Sequence, residues 1–440
     1  MALACVSISS SAHAGNDDGV PVGNEAAMRG GAVVASVSDS SSLYHNPAGM
    51  GWAETNKLDG SGSLFVLRLY DYPALIRPEG ADPEGGRTVD LGSIPSSLGF
   101  VRAVGNLRLG LGVFVPRQES VTIDASFSPD GMDRDLVAEY RIGARFYEII
   151  AGLAARVHPT FSIGVSLVGS YADSEATVQS SAGIIRSPME AAFLTQSASV
   201  ETAGAGLSLA LGAQWRPIDQ LAIGVSLRSP AFQVFSHVRA LSITSGALVT
   251  EDGRFPATAA VSPAEESRNE WGFEMALPFR ARMGIAYRFG RGSIDVEAEL
   301  APKLDNEDLG VNRAMLWNLR AGAMAWVTER LALGGGVFTD RSSARGIDDA
   351  SEAPRFHFYG GSLGLTFEEA HEMRSGRTIT FGTTVALRYA FGRGAFFSTE
   401  FRDTADVVQL FSATDRIFIP SESTVRIHET GVHIGSSLSF

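Results

Sequence analysis

Large apolar residues alternate with small or polar ones at a period of two wherever the chain is regular. In 107–115, Leu107, Leu109, Leu111, Val113 and Val115 alternate with Arg108, Gly110, Gly112 and Phe114. Phe161, Ile163, Val165 and Leu167 alternate with Ser162, Gly164, Ser166 and Val168, and Leu221, Ile223, Val225 and Leu227 with Ala222, Gly224, Ser226 and Arg228. The longest run is Ile379, Phe381, Thr383, Val385, Leu387, Tyr389 and Phe391 against Thr380, Gly382, Thr384, Ala386, Arg388 and Ala390. Successive side chains of a strand point to opposite faces, so each run predicts a strand with one large apolar face and one small or polar face.

This pattern predicts strands over 58–69, 94–104, 107–116, 144–156, 160–172, 203–215, 220–235, 272–288, 293–300, 315–326, 331–340, 356–367, 378–391 and 428–440. The connections alternate between long and short. Long ones cover 70–93, 117–143, 173–202, 236–271, 301–314, 341–355 and 392–427; short ones include Gly105-Asn106, His158-Pro159 and Gly290-Arg291-Gly292. An even strand number with short turns at one end and long loops at the other is the arrangement of an outer-membrane barrel. A soluble sandwich would carry many Lys and Glu on its second face, whereas here that face is Gly, Ser, Ala and Thr with occasional arginines. The expected fold class is therefore all-β, a transmembrane antiparallel up-and-down β-barrel of about 14 strands. Small inward residues are expected to leave room for something to pass.

Composition supports this reading. Glycine makes up 48 of the 440 residues, and charged residues are 19% against the usual ~25%. No run reaches the ~18 apolar residues of a membrane-spanning helix. A net charge of −13 with only two lysines, Lys57 and Lys303, argues against a nucleic-acid surface. The one cysteine, Cys5, lies in 1–14, which ends in Ala12-His13-Ala14 and reads as a signal peptide whose basic start is missing; a lipoprotein reading of Ala4-Cys5 is weaker. The last strand ends on Phe440, a terminal aromatic resembling the signal read by the bacterial outer-membrane assembly machinery.

Residues 15–57 do not alternate. They contain Gly23-Asn24-Glu25-Ala26-Ala27-Met28-Arg29-Gly30-Gly31-Ala32 and then Asp39-Ser40-Ser41-Ser42-Leu43-Tyr44-His45-Asn46-Pro47-Ala48-Gly49-Met50. This resembles the N-terminal plug, or hatch, of the FadL family of long-chain fatty acid transporters, with 58–440 as the barrel. Trp215-Arg216-Pro217, Leu221 to Pro230 and Leu277 to Tyr287 resemble later strands of that family.

The resemblance implies a monomeric outer-membrane channel, set among lipid and lipopolysaccharide, for passive, ligand-gated uptake of long-chain fatty acids or other hydrophobic small molecules. Ligand would be captured among external loops, enter a plugged lumen and leave sideways where a strand is kinked. Ile184, Ile185, Met189, Phe193 and Leu194 in loop three, and Phe411 and Phe418 in loop seven, are the capture candidates. Packing on each other or extension of a strand is their competing role. Asn46, Pro47, Ala48 and Gly49 carry the plug motif, and Gly110 and Gly112 are candidates for the kink. Arg228, Arg288 and Arg388, with Arg108 and Arg282, are inward candidates for a ligand carboxylate; pairing with acids of the plug or wall is the alternative. A family-like surface scaffold and a general porin are the competing functions.

No catalytic constellation emerges, so no enzyme and no cofactor are expected. The eight histidines are scattered without H-E-x-x-H, so no metal site is expected. Gly360-Gly361-Ser362-Leu363-Gly364 fits G-x-S-x-G in letters but continues as an alternating strand rather than a strand-turn-helix elbow. Acidic stretches at 130–135 and 305–308 read as solvated loop charge, with Ca²⁺ binding the less favoured role.

Overall fold

A computed structural model describes residues 19–78, 82–127, 134–187, 190–249, 257–268, 275–306, 311–344, 355–374, 377–401 and 418–440. Two short helices, α1 (Asn24–Met28) and α2 (Ser42–His45), and a 3-10 turn over Pro47–Trp52 precede the strands. The strands are β1 (Lys57–Pro78), β2 (Glu84–Val104), β3 (Leu107–Phe127), β4 (Arg134–His158), β5 (Phe161–Ser187), β6 (Glu190–Ile218), β7 (Leu221–Arg228), β8 (Ala231–Val249), β9 (Ala257–Arg268), β10 (Met275–Leu277), β11 (Arg280–Phe289), β12 (Gly292–Ala301), β13 (Leu304–Asn306), β14 (Val311–Arg313), β15 (Leu316–Trp326), β16 (Leu331–Asp340), β17 (Arg355–Glu372), β18 (Thr378–Phe401) and β19 (Phe418–Ser439).

Each barrel strand pairs antiparallel with its sequence neighbours, and β19 returns to β1 from Lys57↔Ser439 to Asp71↔Arg426. β7 and β8 form one wall strand interrupted at Ser229-Pro230, and β10 and β11 form the next, interrupted at Pro278-Phe279. The result is a closed barrel of 14 strands, with β9 an extra strand paired only to β8 among the described residues. Closure satisfies the edge groups that an open sheet would expose to lipid.

The two faces divide as the alternation requires. On β12, Ile294, Val296 and Leu300 are 47%, 53% and 44% exposed, whereas Asp295, Glu297 and Glu299 between them are nearly fully buried. Leu107, Leu109, Leu111 and Val113 make the same outward stripe on β3. Exposed apolar side chains in continuous rows fit a lipid-facing surface. At the chain end, Phe440 and Asn56 exchange two backbone hydrogen bonds of 3.1 Å, and the Phe440 ring lies 6.5 Å from that of Phe100.

The principal correction concerns the long loops. Much of 70–93, 117–143, 173–202 and 236–271 is strand: β5 has 27 residues and β6 has 29, against the roughly 10 that cross a membrane. These extensions were hidden because they lack a large lipid-facing row. In the extensions of β5 and β6 small and polar residues predominate on both faces, and the ladder is reinforced by pairs such as Ser174 with Thr202 at 2.6 Å. By contrast β12 and β16 have 10 residues each, so the wall is tall on one side. Within its tall half, Tyr140 of β4 meets Phe396 of β18 at 6.0 Å, and Phe396 meets Tyr72 of β1 at 5.1 Å. β4 and β18 are not neighbours in the sheet, so this aromatic contact crosses the interior.

The inward glycines correct a second expectation. They leave space for residues 24–50 of the same chain. A Cβ on Gly110 or Gly152 would strike Leu43 and Met50; one on Gly164, Pro47; on Gly224, Val34; on Gly322, Arg29; and on Gly435, Asn24. A Cβ on Gly212 would overlap the Asn46 side chain. Replacing Gly212 by Val is expected to leave the barrel folded, read as a heat-modifiable band in detergent gels, while residues 24–50 lose amide-exchange protection; unchanged protection would show that the glycine is dispensable.

Candidate functional site

The site is the barrel interior and the N-terminal segment lying in it. Its central motif is explained residue by residue. Asp39 Oδ1 accepts hydrogen bonds from the Ser41 amide (2.9 Å) and the Ser41 hydroxyl (2.6 Å), which starts α2. Leu43 is carried into an apolar cluster with Met50, Phe114 and Ile150. His45 Nε2 is 2.8 Å from the Val22 carbonyl, and its Nδ1 is 3.4 Å from Arg282 Nη1. A guanidinium can only donate, so Nδ1 accepts and the proton sits on Nε2.

Asn46 is fully buried and ties three parts together. Its Nδ2 donates to the carbonyls of Val34 (2.8 Å) and of Ala213 on β6 (3.2 Å), and its Oδ1 accepts from the Ala48 amide (3.1 Å). Pro47 follows at the first position of the 3-10 turn, where no N–H is needed. Ala48 is buried and its carbonyl accepts from Ser162 of β5 at 2.7 Å. Gly49 lies under the Val37 carbonyl, where a side chain would not fit.

Buried charge holds the remainder. Glu297 Oε2 accepts from the amides of both Val33 and Val34 at 3.0 Å, while its Oε1 takes Arg320 at 2.9 Å. Asp295 pairs with Arg29 of the N-terminal segment at 2.9 Å, and Glu299 receives Arg320, Arg282 and Arg280 at 2.7, 3.3 and 3.2 Å. These three acids on β12 were missed at the sequence level, although Asp295-x-Glu297-x-Glu299 on the face opposite Ile294 and Val296 was a readable signal of internal cations.

Two recesses share Tyr44 as a common wall. One, about 500 Å³ with its mouth, is bounded by Val20, Pro21, Val22, Phe338 and Arg388. The other, about 700 Å³, is bounded by Phe146, Glu148, Arg228, Ala231, Leu277 and Pro278, beside the two proline interruptions of the wall. Arg228 lines the second recess and pairs with Glu148 through two bonds of 2.6 and 3.2 Å. Arg388 lines the first, pairs with Glu429 and lies 4.5 Å over the Phe338 ring. Arg282 is bound to Glu299, and Arg108 donates to the Ala53 carbonyl. Arg288 is exposed at the short-turn end and lines neither recess.

Gly110 and Gly112 are regularly paired on both sides, with Val101 and Gly152 and with Gly99 and Ile150. The irregularity of β3 falls beyond them, between Phe114 and Arg117. Pairing of β2 with β3 stops at Ser97↔Phe114, although β2 continues along β1 and β3 along β4. The wall therefore has a seam there. The Val20 amide donates to the Pro116 carbonyl at 3.2 Å, and Arg68 reaches the Gln118 carbonyl at 3.3 Å. Val20, Val66, Ile94 and Val115 form one apolar cluster at this point.

Of the capture candidates, Ile184, Ile185, Phe193 and Leu194 lie in the paired tip of β5 and β6, with Phe193 about half exposed. Phe418 pairs with Phe401 at the start of β19. Met189 and Phe411 lie outside the described residues, as does the 1–14 segment with Cys5. Gly360 to Gly364 run within β17 and make no elbow, and no metal-binding group occurs among the described residues.

A closed 14-stranded barrel whose lumen holds its own N-terminal segment is the class of protein these features define. The fold is that of several solved transport proteins. It matches a Pseudomonas aeruginosa FadL homologue at 13% identity, with 96% of this chain and 99% of that chain covered and a TM-score of 0.59. It matches the monoaromatic hydrocarbon channel CymD at 12% identity, over 96% and 98%, TM-score 0.53. It matches the Ralstonia pickettii toluene transporter TbuX at 12% identity, over 97% and 99%, TM-score 0.51. No family model and no curated protein matches the sequence.

The Asp39 carboxyl is held well above its ordinary range, at about 7, by burial and then by the nearby Asp59. Because the folded segment holds this proton more tightly than the unfolded chain, the contribution of Asp39 to stability is greatest in acid and falls as pH rises from about 4 through 7. Asp39→Asn keeps an acceptor for Ser41 and is expected to flatten that slope and strengthen protection of residues 36–50 at pH 8, measured by amide exchange. A slope identical to the parent would refute this. Asn46→Ala is expected to loosen the same amides by about 1–3 kcal/mol at neutral pH, the cost of stranding buried partners.

Proposed function

We propose that this protein is an outer-membrane channel that passes hydrophobic small molecules by passive diffusion, with residues 15–57 acting as its plug. The observation that carries the reading is the seam between β2 and β3. It begins about 20 Å above the short turn, given ~3.3 Å per residue and a tilt of ~40°, near the top of the apolar band. It is lined by an apolar cluster rather than by charge alone. Each buried CH₂ of a cargo is worth ~0.8 kcal/mol out of water, so a path from the lumen sideways into lipid suits an apolar chain better than a water-filled pore. The filled lumen argues in the same direction against a general porin.

Gating follows from the position of Val20. It borders the recess lined by Phe338 and Arg388 and also bonds to Pro116 at the seam, so a ligand occupying that recess presses on the strap that holds the seam. The recess beside the two proline interruptions is lined by Arg117, Arg145, Arg228, Arg280 and Arg313 against Glu148 and Asp173, which suits an amphiphile whose anionic head competes with the glutamates that hold Arg117, Arg228 and Arg280. Fatty acids have that form; the monoaromatic hydrocarbons and toluene named for the neighbours of this fold do not. Phe193 and the apolar tip of β5 and β6 are the proposed external capture surface.

A thiol-reactive linker placed across the seam in a Pro95→Cys, Pro116→Cys, Cys5→Ser background is the direct test. Uptake of a fluorescent long-chain fatty acid by cells is expected to fall to background and to return when a cleavable linker is cut, while saturable binding by the purified protein persists. Undiminished uptake with the linker in place would sink the lateral route.

A further inference from the structure

The interior arginines differ in what holds them. Arg29, Arg68, Arg228, Arg282, Arg320 and Arg388 each face a carboxylate. At the short-turn mouth, Arg156, Arg216 and Arg288 have no ion pair among the described residues. They are near one another: the Arg288 amide donates to the Gln220 carbonyl in the turn that follows Arg216, and the Arg216 amide donates to the Thr160 carbonyl in the turn that follows Arg156, each at 2.7 Å. Two of them are held in place by the N-terminal segment. The Arg216 and Arg156 guanidinium carbons lie 3.8 and 4.3 Å from the ring centre of the buried Trp52. Stacking on an indole fixes the plane of a guanidinium and leaves its N–H edges free to donate. The Nε of Arg216 is buried and without an acceptor.

We propose that this mouth binds an oxyanion of the phosphate type, held by Arg156 and Arg216 on Trp52 with Arg288 beside them. A multivalent acceptor would satisfy the stranded Arg216 donor and cancel the mutual repulsion of three like charges. Arg156 and Arg288 are exposed, so the group enters from the short-turn side. Bound there, it braces the Pro47–Trp52 turn against the ends of β4, β6 and β11. The inference does not depend on what the lumen carries. The same chemistry is offered by free phosphate and by the head of a lipid-like amphiphile.

Calorimetric titration of the full chain in uncharged detergent, at constant ionic strength, separates these sources. Inorganic phosphate is one probe, dodecyl phosphate the second, and dodecanol the uncharged control. Saturable binding of at least one phosphate probe is expected, weakened about tenfold or more in Arg156→Gln/Arg216→Gln, while any binding of dodecanol, which reports the lumen, is expected to be the same in that variant and the parent. Arg330→Gln, whose guanidinium at the same mouth is already paired with Glu369, is expected to bind as the parent does. Equal affinity for the two probes identifies free phosphate as sufficient; tighter dodecyl phosphate identifies an amphiphile. Should the double variant not fold, Arg288→Gln alone gives the same reading. Binding that is absent, or indifferent to these arginines in a folded variant, overturns the proposal.

Discussion

The backbone of the N-terminal segment lies directly against the inner wall of the barrel, and that approach is possible only where the wall has no Cβ. Gly164 faces the Pro47 backbone, Gly224 the Val34 carbonyl and Gly336 the backbone of Arg29 and Gly30. Any larger residue at these points would push the segment toward the axis and break the bonds it makes on the opposite side. The glycine-rich inner face and the short, compact N-terminal motif are therefore two halves of one packing problem. Close packing of this kind tolerates little adjustment, because each contact is between backbone and backbone.

Charge then orients what the glycines admit. The inward acids of β12 take two segment amides and Arg29, so a wall strand supplies acceptors that a free turn would otherwise take from water. Burial makes an unpaired partner expensive, and the pairing of Arg29, Arg320 and Arg282 meets that cost within the lumen. The mouth departs from this: Arg156 and Arg216 lie over Trp52, with Arg288 nearby, and none of the three has an ion pair among the described residues. The same rule also places Arg228 and Arg388 differently from a simple ligand clamp. Each borders a recess while already held by a glutamate, so an incoming anion competes with Glu148 or Glu429 rather than meeting a free cation.

The seam has a physical basis in the chain. Unpaired backbone groups in lipid cost several kcal/mol each, so a barrel wall opens only where other partners replace the ladder. Pro116 removes one donor outright, the Val20 amide occupies its carbonyl, and Arg68 reaches the Gln118 carbonyl from β1. The opening is thus stabilised by the N-terminal segment and by one long side chain, and the segment is coupled to the wall at the place where the wall is weakest.

Strand number, strand direction and the inside-outside assignment were legible in the sequence because a lipid-facing row must be apolar at every second residue, as Leu107 to Val113 and Ile294 to Leu300 are. The motif from Asp39 to Gly49 was legible as a fixed turn, though not as an anchor, since the partners of Asn46 are Val34 and Ala213, far away in the chain. The tall extensions were not legible: with water or protein on both faces, 173–187 and 190–202 need no apolar row, and hydrogen bonding alone makes them strand. Nor was the seam, because Gly110 and Gly112 look like places to bend while the pairing gives way after Phe114, just before Pro116. The sequence by itself determined which side chains face lipid, because that choice is made by each strand alone. Only the tertiary structure decided what the inner face is for, because a glycine's purpose lies in the backbone packed against it.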